Sequence, residues 1–242
     1  MMRTANPALN DRVFSTVGSV SGTDVMTLEG TVNKTIMAVA ITTVAACISF
    51  MNPAWGKLYL PFILVGLVLA LVISFKQSLA PMLTPAYAAV EGCALGSLSF
   101  LAELQMPGIV FQAVSLTFGT LFCLLIAYKS KWISPSENFK LGLIAATGGI
   151  CVVYLFSLVL GLFGVSMSFL HDASPLSIGI SCVVVVIAAL NLVLDFDFIE
   201  NGAASGRLPK YMEWYGAFGL LVTLIWLYVE ILRLLMKLNS RD

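Results

Sequence analysis

The run Leu58-Tyr59-Leu60-Pro61-Phe62-Ile63-Leu64-Val65-Gly66-Leu67-Val68-Leu69-Ala70-Leu71-Val72-Ile73-Ser74-Phe75, bounded by Lys57 and Lys76, contains no charged residue. At about 1.5 Å per residue, a helix of this length nearly crosses the hydrocarbon layer of a bilayer. The run is continuous rather than alternating, which favours a helix over a barrel strand. Six more such runs lie on either side of it. One covers about 32–50 and stops before Asn52-Pro53, a turn signal. The next three cover about 82–101, with Pro85 near the start, about 108–128, opened by Pro107-Gly108, and about 139–162. The last two cover about 176–199, led by Pro175 at a first helical turn, and about 212–236, ending in Arg233 and Lys237. The chain therefore reads as an all-α polytopic membrane protein with seven transmembrane helices. A polar segment, 1–30, precedes a transmembrane domain, 31–238.

Composition agrees. Of 242 residues, 59% are hydrophobic and only 11% charged, and the mean hydropathy is +0.96. Soluble domains carry about 25% charged residues, so this chain lacks the polar surface needed to cover itself in water. The formal net charge is zero, which gives no footprint for nucleic acid. Cys47, Cys93, Cys123, Cys151 and Cys182 all fall in apolar stretches, at no metal-ligand spacing. They read as small buried hydrophobes rather than disulfides or zinc ligands. Residues 1–30 mix Arg3, Asp11, Arg12, Asp24 and Glu29 with no short apolar core and cleavage site. They are expected to form a mobile or amphipathic lead-in, the first span serving as its own insertion signal.

Seven crossings place Arg3, Arg12, Lys34, Lys76, Lys129, Lys131, Lys140, Arg207 and Lys210 on the side of the N-terminus. Lys57, Arg233, Lys237 and Arg241 fall on the other. The excess predicts a cytoplasmic N-terminus and an external C-terminus, in an inner (plasma) membrane. A re-entrant seventh segment would instead return the C-terminus to the cytoplasm. Ala88, Gly92 and Gly96 form a small-residue stripe in the third span, suited to close helix packing. Gly142, Gly148, Gly149, Gly161 and Gly164 are expected either to pack similarly or to let the fifth span bend.

Acids inside these runs carry the functional interest, because an ionised carboxylate at mid-membrane costs about 2.5–3.5 kcal/mol even on the mildest scale. At about 100° per residue, Asn191 and Asp195 share one face of the sixth span, while Asp197 lies about 200° away. Asp197 and Glu200 share the other face. These three acids are either hydrated at the interface or, for Asp195 above all, part of a pathway. The seventh span adds Glu213 near its start and Glu230 near its end, where Arg233 stands at ion-pair spacing. Thr223 lies on nearly the same face as Glu230. Glu91 is inside the third span, as a proton-relay group or as a protonated acid bonded to a neighbouring helix.

Enzyme chemistry finds little support. His171 is the only histidine, which excludes histidine metal clusters. Ser166 and Ser168 stand too near it in sequence to form a nucleophile and base. No phosphate-binding glycine loop and no arginine-dense voltage sensor are present. No catalytic residue and no cofactor are expected.

The run Leu194-Asp195-Phe196-Asp197-Phe198-Ile199-Glu200-Asn201-Gly202 carries a resemblance, together with Pro209-Lys210-Tyr211-Met212-Glu213-Trp214-Tyr215 and Trp226-Leu227-Tyr228-Val229-Glu230-Ile231-Leu232-Arg233-Leu234-Leu235. Met26-Thr27-Leu28-Glu29-Gly30-Thr31-Val32-Asn33-Lys34-Thr35 and Tyr87-Ala88-Ala89-Val90-Glu91-Gly92 fit the same pattern. Over about residues 26–236 the chain resembles a bacterial branch of the Bax inhibitor-1-like (transmembrane Bax inhibitor motif) family. The resemblance implies a seven-helix bundle whose last helix is central, wrapped by the other six. It further implies a pH-sensitive calcium leak channel in which a sixth-helix and a seventh-helix aspartate sense protons together. The first of these falls on Asp195, which would also meet calcium transiently. The second falls on Thr223, a departure, and the family's second-helix glutamate has no match here. A partner for Asp195 would then come from Glu91, Glu213 or Glu230. The expected partners are membrane lipid, protons and calcium as the permeant ion. The alternative is a regulatory protein that modulates a membrane-anchored protease, with the polar N-terminal segment as its docking element.

Overall fold

The computed structural model describes residues 24–164 and 172–240. The N-terminal residues before Asp24, and Ser166, Ser168 and His171, lie outside the described residues. Seven helices follow in order: α1 (Leu28–Phe50), α2 (Tyr59–Phe75), α3 (Ala80–Gln105), α4 (Ile109–Lys129), α5 (Glu137–Leu162), α6 (Pro175–Ala204) and α7 (Met212–Asn239). Short 3-10 turns, Pro53–Leu58 and Gln77–Leu79, lead into α2 and α3.

The helix starts follow from local chemistry. The hydroxyl of Thr27 accepts from the Gly30 amide at 3.0 Å, so α1 begins ahead of the apolar run itself. Ser136 and Ser174 cap α5 and α6 through the amides of Phe139 and Ser177, and Pro175 fills the first turn of α6. Gly108 opens α4 at φ 87°, a conformation glycine adopts without strain. The Glu103 carboxylate accepts from the Gly108 and Val110 amides at 2.6 and 3.1 Å, answering the unpaired donors and positive end of that helix.

Six of the helices are long and apolar enough to cross a membrane. The seventh, α3, is equally long, but the small and polar residues that bury it against its neighbours, among them Gly92, Gly96, Ser97 and Ser99, lower its hydropathy. The chain is an all-α polytopic membrane protein. The helices run alternately up and down. Their ends define a near end, where α1 begins and α6 joins α7, and a far end, where α7 finishes.

The last helix is central. Within its most apolar window α7 is 61% buried, against 6% for α5 and 11% for the span containing α2. It packs directly on α1, α3, α4 and α6. Of the remaining two, α5 leans on α6 and α2 on α3, so the wrapping is done by four helices with two outriders. The closest seam joins α1 and α3. A Cβ added at Gly92 or Gly96 would strike the Thr42 or Ala46 carbonyl of α1, so this stripe is a true backbone contact. The glycines of α5 behave differently: a Cβ at Gly142, Gly148, Gly149 or Gly161 meets nothing within 4 Å among the described residues. They line no seam, because α5 is peripheral. The cysteines also depart from expectation. Cys47, Cys123, Cys151 and Cys182 are exposed and Cys93 is half-buried, all as free thiols; in a membrane an apolar position faces lipid as readily as it faces protein.

Candidate functional site

The near end is closed by polar groups that reach between helices. Glu213, at the start of α7, is buried, and its carboxylate accepts from the Lys34 ammonium of α1. It also accepts from the Thr27 hydroxyl at 2.8 Å and the Thr27 amide at 3.0 Å. Gly30 makes this possible, since any Cβ there would collide with the Glu213 carboxylate. Lys34 also lies 5.8 Å from the centre of the Trp214 ring, a cation–π contact. Residues just before α1 hold the α6–α7 connection by backbone bonds. The Met26 amide donates to the Leu208 carbonyl at 2.7 Å and the Lys210 amide to the Asp24 carbonyl at 2.9 Å. Residues 24–27 are thus bound to the bundle rather than a loose lead-in.

The structure continues α6 to Ala204, past the predicted end, which draws its acids deeper. Asp197 pairs with Lys140 of α5 at 2.8 Å, and Lys140 also reaches Glu137 at 3.3 Å. Glu200 is exposed and accepts from the Tyr128 hydroxyl of α4 at 2.5 Å. The two acids that share a face are therefore shared out between two neighbouring helices.

Asp195 is wholly buried, about 14 Å along α6 from its end. The register against α7 follows from Ile199, which packs at Gly216. One turn deeper, Asp195 comes level with about Leu220, less than a turn from Thr223. Thr223 is also buried, and its hydroxyl donates to the Gly219 carbonyl at 3.3 Å. Neither side chain stands alone in the bundle. From this level Glu213 lies about 10 Å toward the near end and Glu230 about 15 Å toward the far end. Glu230 is buried beside Arg233 at 3.2 Å. It accepts from the Tyr154 hydroxyl of α5 at 3.0 Å and the Trp226 ring nitrogen at 3.3 Å. Each end acid thus has a cation or phenol of its own.

Glu91 is half-buried about 16 Å into α3, with its carboxylate filling the space that Gly66 of α2 leaves by having no Cβ. Among the described residues it makes no ion pair or hydrogen bond. It matches Asp195 in depth, and α3 and α6 both pack on α7 without substantial backbone contact of their own. Among the described residues no three His, Cys, Asp or Glu side chains converge as a metal site.

Lys34, Lys140, Tyr128 and Tyr154 went unsingled in the sequence as functional groups. The lysines had a readable signal: a cation within an apolar run needs a partner at the same depth.

A bundle of apolar helices around a buried last helix, with carboxyls bonded at both ends and others set in its middle, defines a multi-pass helical membrane protein with polar groups inside its span. A family model described as Bax inhibitor 1 like matches residues 6–240, and the chain belongs to that family. Comparison with curated proteins returns no match.

Proposed function

We propose that the protein is a passive, pH-modulated cation leak, with calcium as the permeant ion and Asp195 as the central titrating group. The observation that carries this reading is the wholly buried Asp195 carboxyl, midway through the bundle and level with the middle of α7. Ionising such a group in a low dielectric costs energy that a protonated carboxyl avoids. Proton loss therefore favours any arrangement that admits water or a hard cation to its oxygens. Glu91 acts as a second, independent titrating group on the α2 side of α3. Asp197, Glu200, Glu213 and Glu230 hold the ends in register. The excess of Lys and Arg at the near end supports a cytoplasmic near end in a bacterial inner membrane.

Calcium uptake into proteoliposomes, followed from acid to neutral pH, tests this. Wild type gains flux as pH rises, and Asp195→Asn loses that dependence. A pH profile that Asp195→Asn leaves unchanged would sink the assignment, and no flux in wild type would sink the leak itself.

A further inference from the structure

In the far half of the bundle, α1 and α4 do not close on each other, and the central helix shows between them. The gap is a groove of about 490 Å3 with an almost wholly apolar lining. Val39 and Ala46 of α1 form one wall, Val114 and Phe118 of α4 the other, and Leu221 and Ile225 of α7 the floor. A shallower hollow of about 190 Å3 shares Phe50 and Met51 with it and extends it to Glu103 at the far surface.

Its dimensions select an occupant. Along α1 the groove runs from Val39 to Met51, about 18 Å of helix. One leaflet of a bilayer's hydrocarbon is about 15 Å deep. Water would find few polar groups with which to bond. We propose that this groove is a lipid site that holds one acyl chain, with the headgroup at the far surface beside the ends of α1 and α3.

The chain supplies the contacts that a fifth neighbour would otherwise give α7 along this side. The site does not depend on whether the bundle conducts. Native mass spectrometry of the full chain in detergent micelles doped with phosphatidylglycerol tests it. Wild type retains one phospholipid per chain. Val114→Trp, which fills the groove from α4, and Thr43→Trp, which fills it from the exposed side of α1, each lower that occupancy at least about tenfold. Leu116→Trp, on the outward face of α4, keeps the wild-type level and controls for the added ring. Equal retention by all four proteins, or no retention by wild type, overturns the proposal. A dimer that both groove variants abolish would assign the groove to a second copy of the chain and overturn it as well.

Discussion

The near and far ends of the bundle are held shut by different chemistry. At the near end opposite charges meet across helices: Lys34 of α1 with Glu213 of α7, and Lys140 of α5 with Asp197 of α6. At the far end the ion pair among the described residues, Glu230 with Arg233, lies within one helix. Links between helices there run to hydroxyls, some from neutral partners, as in Ser49 with Ser97 and Ser99 with Tyr228, and some from charged ones, as in Lys237 with Ser181 and both Arg233 and Glu230 with Tyr154. Hydrogen bonds between helices in a membrane are worth about 0.6 kcal/mol on average, whereas a buried charge stripped of its partner is far more costly. Among the described residues the far half thus has no opposite charges meeting across helices, and it is also the half with a lateral groove. A passage through this bundle would meet its firmer closure at the near end.

Removing one cation from each end tests that contrast. Lys34→Met leaves the Glu213 carboxylate buried with only neutral donors, and should lower stability by about 3 kcal/mol. Thermal unfolding in detergent reads this, and adding Glu213→Gln should restore part of the loss. Arg233→Met should cost less, about 1 kcal/mol. Its pair with Glu230 lies within one helix and persists when the helices separate, so the loss between helices is its contact with Tyr154 of α5, a hydrogen bond of 3.0 Å to the hydroxyl. Equal losses from the two would erase the distinction between the ends. The smallest effect belongs to Tyr128→Phe, which deletes one hydrogen bond to the exposed Glu200 and should cost below about 1 kcal/mol. A larger loss would mean that α4 is pinned to α6 more firmly than the lysine pairs suggest.

The helices themselves were legible in the sequence because continuous apolar runs have no other stable form in a membrane. Predicted and observed limits differ little, most at the end of α6, where Glu200 and Asn201 read as a surface and the helix in fact continues to Ala204. Direction around each helix was not legible. In water, polarity marks the outward face; here lipid and protein interior are equally apolar, so exposed Cys123 and buried Ala113 look alike. For the same reason Gly92 and Gly148 could not be separated until their neighbours were known. The acids could be picked out individually by their cost. Their partners could not, since Lys34 and Glu213 are 179 residues apart and nothing local joins them.

That separation has a consequence for how the molecule is made. A chain synthesised at about 5–20 residues per second exposes Lys34 on the order of ten seconds or more before Glu213 exists. During that interval the lysine lacks its α7 carboxylate and adds its charge to those of Arg3 and Arg12 in orienting α1. Only when the final helix enters the bilayer does the charge find its counterpart, and the backbone bonds of Asp24 and Met26 to the connection before that helix form with it. The clasp between α1 and α7 is therefore a completion signal: a protein truncated before α7 would lack both the central helix and the group that ties the start of α1 in place.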